Sequence, residues 1–369
     1  MLAGIEAELA ELKRRNLYRH LAPARGIDFT SNDYLALSRH PALRAAAKAA
    51  LDAAPVGAGA SRLLHGSLEA HAVLEEFAAG FFGAEKALFF GSGYLANLAL
   101  FSTLLDRRDA VVFDDAIHAS MKEGIHASNA SRFRAQHNDP ESFRDALRSA
   151  RDKGARRLLI AVESVYSMDG DMAPLEELSR LALAHGATLV VDEAHATGIF
   201  GAGGRGCAED LPQENLISVH TCGKALGVAG ALVCACGPVI DYLVNRARPF
   251  IYSTAPPPVI AAMVLRALQL IGEEPWRRAL LLQRARFAHE ALCPDSAFRG
   301  TQIIPLILGD AGRAVAAAQA LQARGFDARA VRPPTVPEGS SRLRISIHAD
   351  HDENEISRLS AALRLALAA

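Results

Sequence analysis

Five short runs, Ala87–Phe90, Ala110–Phe113, Leu158–Val162, Thr188–Val191 and Leu216–Val219, are almost wholly apolar and recur with helical patterns between them. A strand apolar at consecutive positions is buried on both faces, so strands separated by helices predict an α/β fold whose mostly parallel sheet is covered by helices. Local signals fix two of those helices. Asp139-Pro140 supplies an N-cap and a first-turn proline ahead of Phe143, Ala146 and Leu147. Pro174 opens another over Leu175, Leu178 and Leu181, with Gly186 available as its left-handed cap. Near the N-terminus Ile5, Leu9 and Leu12 predict an amphipathic helix over residues 3–18, which needs the main body or a partner subunit to pack on. Beyond Pro256-Pro257-Pro258 the pattern reads as one long helical stretch to about residue 292. A different order follows: strand-like Ile303–Leu308, helix 311–324, strand-like Leu343–Ile347 and a closing helix 352–368. The expected organisation is an N-terminal helix and arm (1–40), a large α/β domain (41–285) and a small C-terminal α+β domain (286–369).

Composition narrows the function. Half of the 369 residues are hydrophobic and 22% are charged, which excludes a disordered chain. A net charge of -1 gives no electrostatic reason to bind nucleic acid or an anionic membrane, so small molecules are the expected partners. Cys207, Cys222, Cys234, Cys236 and Cys293 form no C-x-x-C pair, so neither structural zinc nor a disulfide framework is expected. Met1–Glu6 lacks the basic start of a signal peptide, and no apolar stretch reaches spanning length, so a soluble cytoplasmic protein is expected.

In an open α/β sheet, reactive groups gather just beyond the carboxyl ends of the strands. After the five runs come Gly91-Ser92-Gly93-Tyr94, then Asp114-Asp115 with His118, Glu163–Ser167, Asp192–His195 and Thr221–Lys224. Together these make a kit for pyridoxal 5′-phosphate (PLP): a lysine to form a Schiff base, a carboxylate to face the pyridine nitrogen, and helix-start amides for the phosphate. Lysine occurs at only six positions (13, 48, 86, 122, 153 and 224), and only Lys224 lies in a small-residue turn. Read alone, Lys224 is equally an exposed surface lysine, and Asp192 fits an N-cap or a structural ion pair. His195 fits either a hydrogen bond to the cofactor's phenolic oxygen or a structural role, and His118 either stacks on an aromatic ring or caps a helix. Two other motifs compete. Gly201–Gly206 satisfies G-x-G-x-x-G literally, but no apolar strand runs into it and Pro212 interrupts the segment after it, which favours a loop over a nicotinamide site. Ser92 lies between glycines without the G-x-S-x-G elbow of a serine hydrolase.

These residues and the motifs around them resemble the α-oxoamine synthases, fold-type-I PLP-dependent transferases, over nearly the whole chain. The matching segments are Ser31–Leu35, Gly57–Arg62, Gly91–Asn97, Glu163–Asp171, Asp192–His195, Thr221–Gly227, Ile251–Thr254, Arg332–Pro337 and Arg342–Arg344. The resemblance implies that Lys224 is the Schiff-base lysine and proton carrier, Asp192 the pyridinium partner and His118 the stacked ring. It implies that Ser167 and His195 contact the cofactor, and that Gly93, Tyr94 and Thr221 lie on its phosphate side. Arg344 would clamp the amino-acid carboxylate, with Arg19, Asn32, Glu163 and Thr335 on the substrate side. It further implies a homodimer with shared active sites, in which Ser253 and Thr254 reach the neighbour's phosphate. The expected reaction joins a small amino acid to an acyl thioester with loss of carbon dioxide. The Arg332–Pro337 run resembles the biotin-pathway branch, which takes L-alanine and a pimeloyl thioester on CoA or a carrier protein. A branch taking glycine and acetyl-CoA is the alternative, and a catalytically silent binding relative is the alternative from another class. One departure is Gly223, where many relatives carry serine.

Overall fold

The computed structural model describes residues 1–368. By its internal contacts the chain divides into two compact units, one comprising residues 35–166 and 172–278, the other residues 1–34, 167–171 and 279–369.

The first unit is built on a seven-stranded sheet. From edge to edge its order is Lys86–Phe90, Ala231–Ala235, Leu216–Thr221, Ala187–Asp192, Leu158–Glu163, Ala110–Asp114 and Ser131–Ala135. Ala231–Ala235 runs antiparallel to both of its neighbours, and the other pairings are parallel. Because side chains alternate across a strand, each face has its own core. Val111, Leu159, Val190 and Ile217 pack under Leu100, Phe101 and Leu104 on one face. Val112, Ile160, Leu189 and Val191 pack with Phe143, Leu147 and Leu178 on the other. The expected doubly covered, mostly parallel sheet is therefore the observed one.

The helices begin where their capping chemistry says they should. Asp139 accepts from the amides of Glu141 and Ser142 to start Pro140–Asp152, and Gly186, at φ 57°, ends Leu175–His185. Two strands of the seven-stranded sheet escaped the periodicity reading: Ser131–Ala135, a largely exposed edge strand, and Ala231–Ala235, which follows the lysine turn with no helix before it. The long helical stretch after Pro258 is two helices, Pro258–Glu273 and Trp276–Leu292. Pro275 lies at the break, where a missing N–H and a bulky ring end a helical ladder.

The second unit holds a three-stranded antiparallel sheet in the order Ala330–Val331, Ser341–Ser346, Ile303–Gly309, with helices Ala311–Gln322 and Glu353–Ala368. Ile27–Asp28 pairs in parallel with Phe326–Asp327. Thr301 Oγ1 donates to Gly170 O (2.6 Å) and Arg342 Nη1 donates to Asp169 Oδ1 (2.7 Å), which ties residues 167–171 into this unit. The N-terminal helix spans Leu2–Arg14 and buries none of its residues; Leu2, Ile5, Leu9 and Leu12 remain 36–70% exposed.

Candidate active site

The carboxyl ends of the first unit's strands open into a cavity. Gly93, Tyr94, His118, Glu163, Asp192, His195, Thr221 and Lys224 all line it, so eight of the residues singled out in the sequence converge at one place. Asn97 and Ser120 line it as well; the sequence reading gave them no role.

Each side chain is delivered by its local structure. Asp192 is the last residue of a central strand and only 4% exposed. Its Oδ1 accepts from the Ala194 amide (3.0 Å) and its Oδ2 from Asn97 Nδ2 (2.8 Å). Neither donor carries a charge, so a cation facing this buried carboxylate would offset its desolvation. Lys224 follows the next strand in a turn closed by hydrogen bonds from Gly227 N to Lys224 O (2.8 Å) and from Val228 N to Cys222 O (3.0 Å). The turn requires glycine at 227, where φ is +66° and a Cβ would lie 2.4 Å from Ser38 N. Gly223 carries no such demand: a Cβ there meets only Val228 O, at 3.8 Å, so backbone packing does not exclude a serine.

Ser92 caps the helix Gly93–Leu104 by accepting from Leu95 N (3.2 Å), and the Gly93 and Tyr94 amides at the helix start have no partner within the helix. Gly93 packs so closely on Thr221 that a Cβ would lie 2.6 Å from its Oγ1. This side-chain-free helix start is a cradle for an anion. His118 caps Ala119–Ala127: its Nδ1 accepts from Ser120 N (3.2 Å) and lies 2.7 Å from Ser120 Oγ. Part of its ring is open to solvent, yet its pKa is pushed below the ordinary imidazole value by desolvation. Lys224 acts in the same direction, and Asp192 opposes both.

The remaining candidates fall in other places. In the second unit, Arg344 is 8% exposed and donates from Nε to Ser167 O (2.5 Å), from Nη1 to Asn32 Oδ1 (3.0 Å) and Ser346 Oγ (2.9 Å), and from Nη2 to Tyr34 Oη (2.9 Å). Tyr34 in turn donates to Asn32 Oδ1 (2.9 Å). Asn32, Ser167 and Arg344 therefore form one cluster, to which Tyr34 and Ser346 belong although the sequence gave no reason to single them out. Since Arg has five N–H donors, one Nη2 hydrogen and the Asn32 amide nitrogen are left to meet a ligand. Arg19 and Thr335 share no hydrogen bond with this cluster: Arg19 Nη2 donates to Pro333 O (3.2 Å) and Thr335 N to Arg332 O (3.1 Å). Ser253 and Thr254 line a separate recess with Arg62, Phe89 and Phe250.

Glu193, next to Asp192, was not read from the sequence. It is fully buried and accepts from Ser164 Oγ (2.5 Å), Cys207 N (3.1 Å) and Ala208 N (2.7 Å). The 201–206 glycine run thus belongs to a loop anchored on Glu193, as the missing strand before it predicts. Burial pushes the Glu193 pKa up from 4.5 to about 7. A raised acid pKa means that the folded state keeps a proton which the unfolded chain has lost, so stability falls as pH rises from 4.5 to 7 and then levels. In urea titrations across this range, wild type should lose up to about 1.4 kcal/mol per pH unit relative to Glu193→Gln. Parallel pH curves for the two proteins would exclude it.

Set beside known proteins, the chain has a clear place. A sequence model of the family described as aminotransferase class I and II matches residues 24–363, and the chain belongs to that family. Within it, the chain is similar to 8-amino-7-oxononanoate synthase of Chromobacterium violaceum, 46% identical over 92% of this chain and 88% of the relative. The enzyme of the same name from Anaeromyxobacter dehalogenans (strain 2CP-1) is 43% identical over 99% and 96%. Among solved structures, serine palmitoyltransferase from S. paucimobilis with bound PLP-myriocin aldimine superposes with a TM-score of 0.90 at 29% identity, covering 98% of this chain and 96% of that one. The 8-amino-7-oxononanoate synthase of Francisella tularensis gives a TM-score of 0.79 at 30% identity, covering 92% and 96%. The fold is thus the fold-type-I PLP transferase fold, in its α-oxoamine synthase branch.

Proposed function

We propose that this chain is a PLP-dependent acyltransferase that condenses L-alanine with pimeloyl-CoA, or with a pimeloyl carrier protein, releasing carbon dioxide and the free thiol of CoA or of the carrier and giving 8-amino-7-oxononanoate for biotin biosynthesis. What carries the reading is full-length similarity to enzymes of that name in a chain whose Lys224, Asp192 and His118 line one cavity. The side-chain-free helix start at Gly93 and the buried Asp192 carboxylate are what a phosphorylated pyridine requires.

In this reading Lys224 would hold the cofactor, with Asp192 as the partner of its pyridine nitrogen, His118 as the partner of its ring, and Ser167 and His195 as further contacts. The amides of Gly93 and Tyr94, with Thr221, bind its phosphate. When bound, PLP supplies an electron sink for the charge that develops at the amino-acid α-carbon. Lys224 Nζ takes the α-proton and returns one to the product; lining the same cavity as Asp192 keeps it where that exchange happens. Arg344 orients the amino acid through its carboxylate, held in place by Asn32, Tyr34 and Ser167. Glu163, Thr335 and Arg19 act on the substrate side. Ser253 and Thr254 serve the second subunit of a homodimer, a state supported by the exposed apolar face of Leu2–Arg14. No helix among the described residues is long and apolar enough to cross a membrane, which fits the cytoplasmic location we propose.

Thiol release by the PLP-loaded protein tests the reading. L-alanine with pimeloyl-CoA or a pimeloyl carrier protein should outpace glycine with acetyl-CoA; the reverse preference would move the chain to another branch, and no release with any of these donors would remove the assignment. Arg344→Lys, which replaces a planar fork by a point charge, should raise KM for L-alanine at least about tenfold and leave KM for the thioester little changed. Equal rises in both constants would sink the carboxylate role.

A further inference from the structure

We propose that Asn97 is a positioning residue whose single amide sets both the Asp192 carboxylate and the tautomer of His118. The inference rests on the reading of the cavity as a PLP site.

Asn97 lies one turn into the helix Gly93–Leu104 and is 1% exposed. Its Nδ2 donates twice, to Asp192 Oδ2 at 2.8 Å and to Ser120 Oγ at 3.0 Å. The orientation is fixed by chemistry, because an ionised carboxylate only accepts and the NH2 edge must face it. Oδ1 is then left buried with no hydrogen-bond partner. An orphaned amide oxygen destabilises a fold, so packing gives no account of an asparagine here, whereas its two donated bonds do.

Those bonds have a direction. Having accepted from Asn97, the Ser120 hydroxyl keeps its own proton to donate to His118 Nδ1 at 2.7 Å, and Ser120 N donates to the same atom at 3.2 Å. With two donors on it, Nδ1 stays unprotonated and the ring's proton sits on Nε2. On the other branch, Asn97 on Oδ2 and Ala194 N on Oδ1 hold the Asp192 carboxylate in one plane. Asn97 thereby couples the group that would face the pyridine nitrogen to the ring that would cover the cofactor, and it touches the reacting atoms through neither.

The test is a titration of wild type, Asn97→Ala and the equal-volume Asn97→Asp with pyridoxal 5′-phosphate. It reads the dissociation constant and the visible-region circular dichroism of the bound cofactor, with far-ultraviolet dichroism as the measure of folding. We expect Asn97→Ala to weaken binding about tenfold, the size of a lost bond to a charged group, and to change the visible dichroism. On an Asp192→Asn background the same change should cost less than about twofold, because the partner it acts through is already altered. Ser120→Ala breaks only the His118 branch and should change the visible dichroism with a smaller loss of affinity. An unchanged constant and dichroism in folded Asn97→Ala would overturn the inference, as would full additivity with Asp192→Asn or an equal affinity loss in Ser120→Ala. Should Asn97→Ala not fold, Asn97→Asp reads the same two quantities. If wild type itself takes up no pyridoxal 5′-phosphate, the cofactor reading falls and the inference with it.

Discussion

Lys224→Ala removes turnover, with kcat lowered by about 10⁴-fold, the upper range for a positioned acid-base group. The loss exceeds that from any neighbour because Lys224 serves two purposes in the proposed mechanism: it anchors the cofactor and it carries the α-proton. Anchoring is replaceable in part by the phosphate cradle at Gly93 and the carboxylate of Asp192, so the variant should still take up pyridoxal 5′-phosphate, more weakly. Proton carriage is not taken over by Asp192 or His118, since both Asp192 oxygens and His118 Nδ1 are engaged. Single-turnover assays of the cofactor-loaded variant, with and without added methylamine, separate the two losses. Partial rescue by the amine is the expected signature of a missing proton carrier; near wild-type kcat without it would remove Lys224 from the centre of the mechanism.

The site was legible in the sequence because a parallel sheet concentrates chemistry at one edge. Once the apolar runs ending at Phe90, Phe113, Val162, Val191 and Val219 are taken as strands, the polar residues after them must gather, whatever their separation along the chain. The residues that escaped notice are those whose role exists only through contacts distant in sequence. Asn97 sits on a helix with almost no amphipathic signal, because nearly all its faces are buried, and its partner Asp192 lies 95 residues away. Glu193 reads as an ordinary surface acid until the loop after Gly206 closes over it. The assignment of residues 167–171 to the second unit is of the same kind, since Arg299, Thr301, Arg342 and Arg344 hold that segment from at least 130 positions downstream. Among strands, Ser131–Ala135 carries Arg132 and Arg134 on an exposed edge, so no apolar run marks it. Edge strands are tolerated as polar for the same reason that they are hard to find.

Asp192→Asn should slow exchange of the L-alanine α-proton by about 10²- to 10⁴-fold while leaving the fold intact. The size follows from removing one partner of a buried charge pair, which typically costs about 3–5 kcal/mol. An amide in that position keeps the shape of the carboxylate and the bond from Ala194 N, but it cannot hold a proton on a pyridine nitrogen, and an unprotonated ring withdraws electrons poorly. Asn97 Nδ2 would meet either the oxygen or the nitrogen of the new amide, and the second arrangement sets two donors against each other. The variant is therefore expected to bind cofactor less tightly as well as to exchange more slowly. Proton exchange is the cleaner reading, because it follows the α-carbon directly and needs no acyl thioester. Nuclear magnetic resonance of L-alanine in deuterium oxide with the cofactor-loaded variant measures it. A rate within about twofold of wild type would mean that the buried carboxylate serves the strand end and not the reaction, and Asn97 would be left with only its branch through Ser120 to His118.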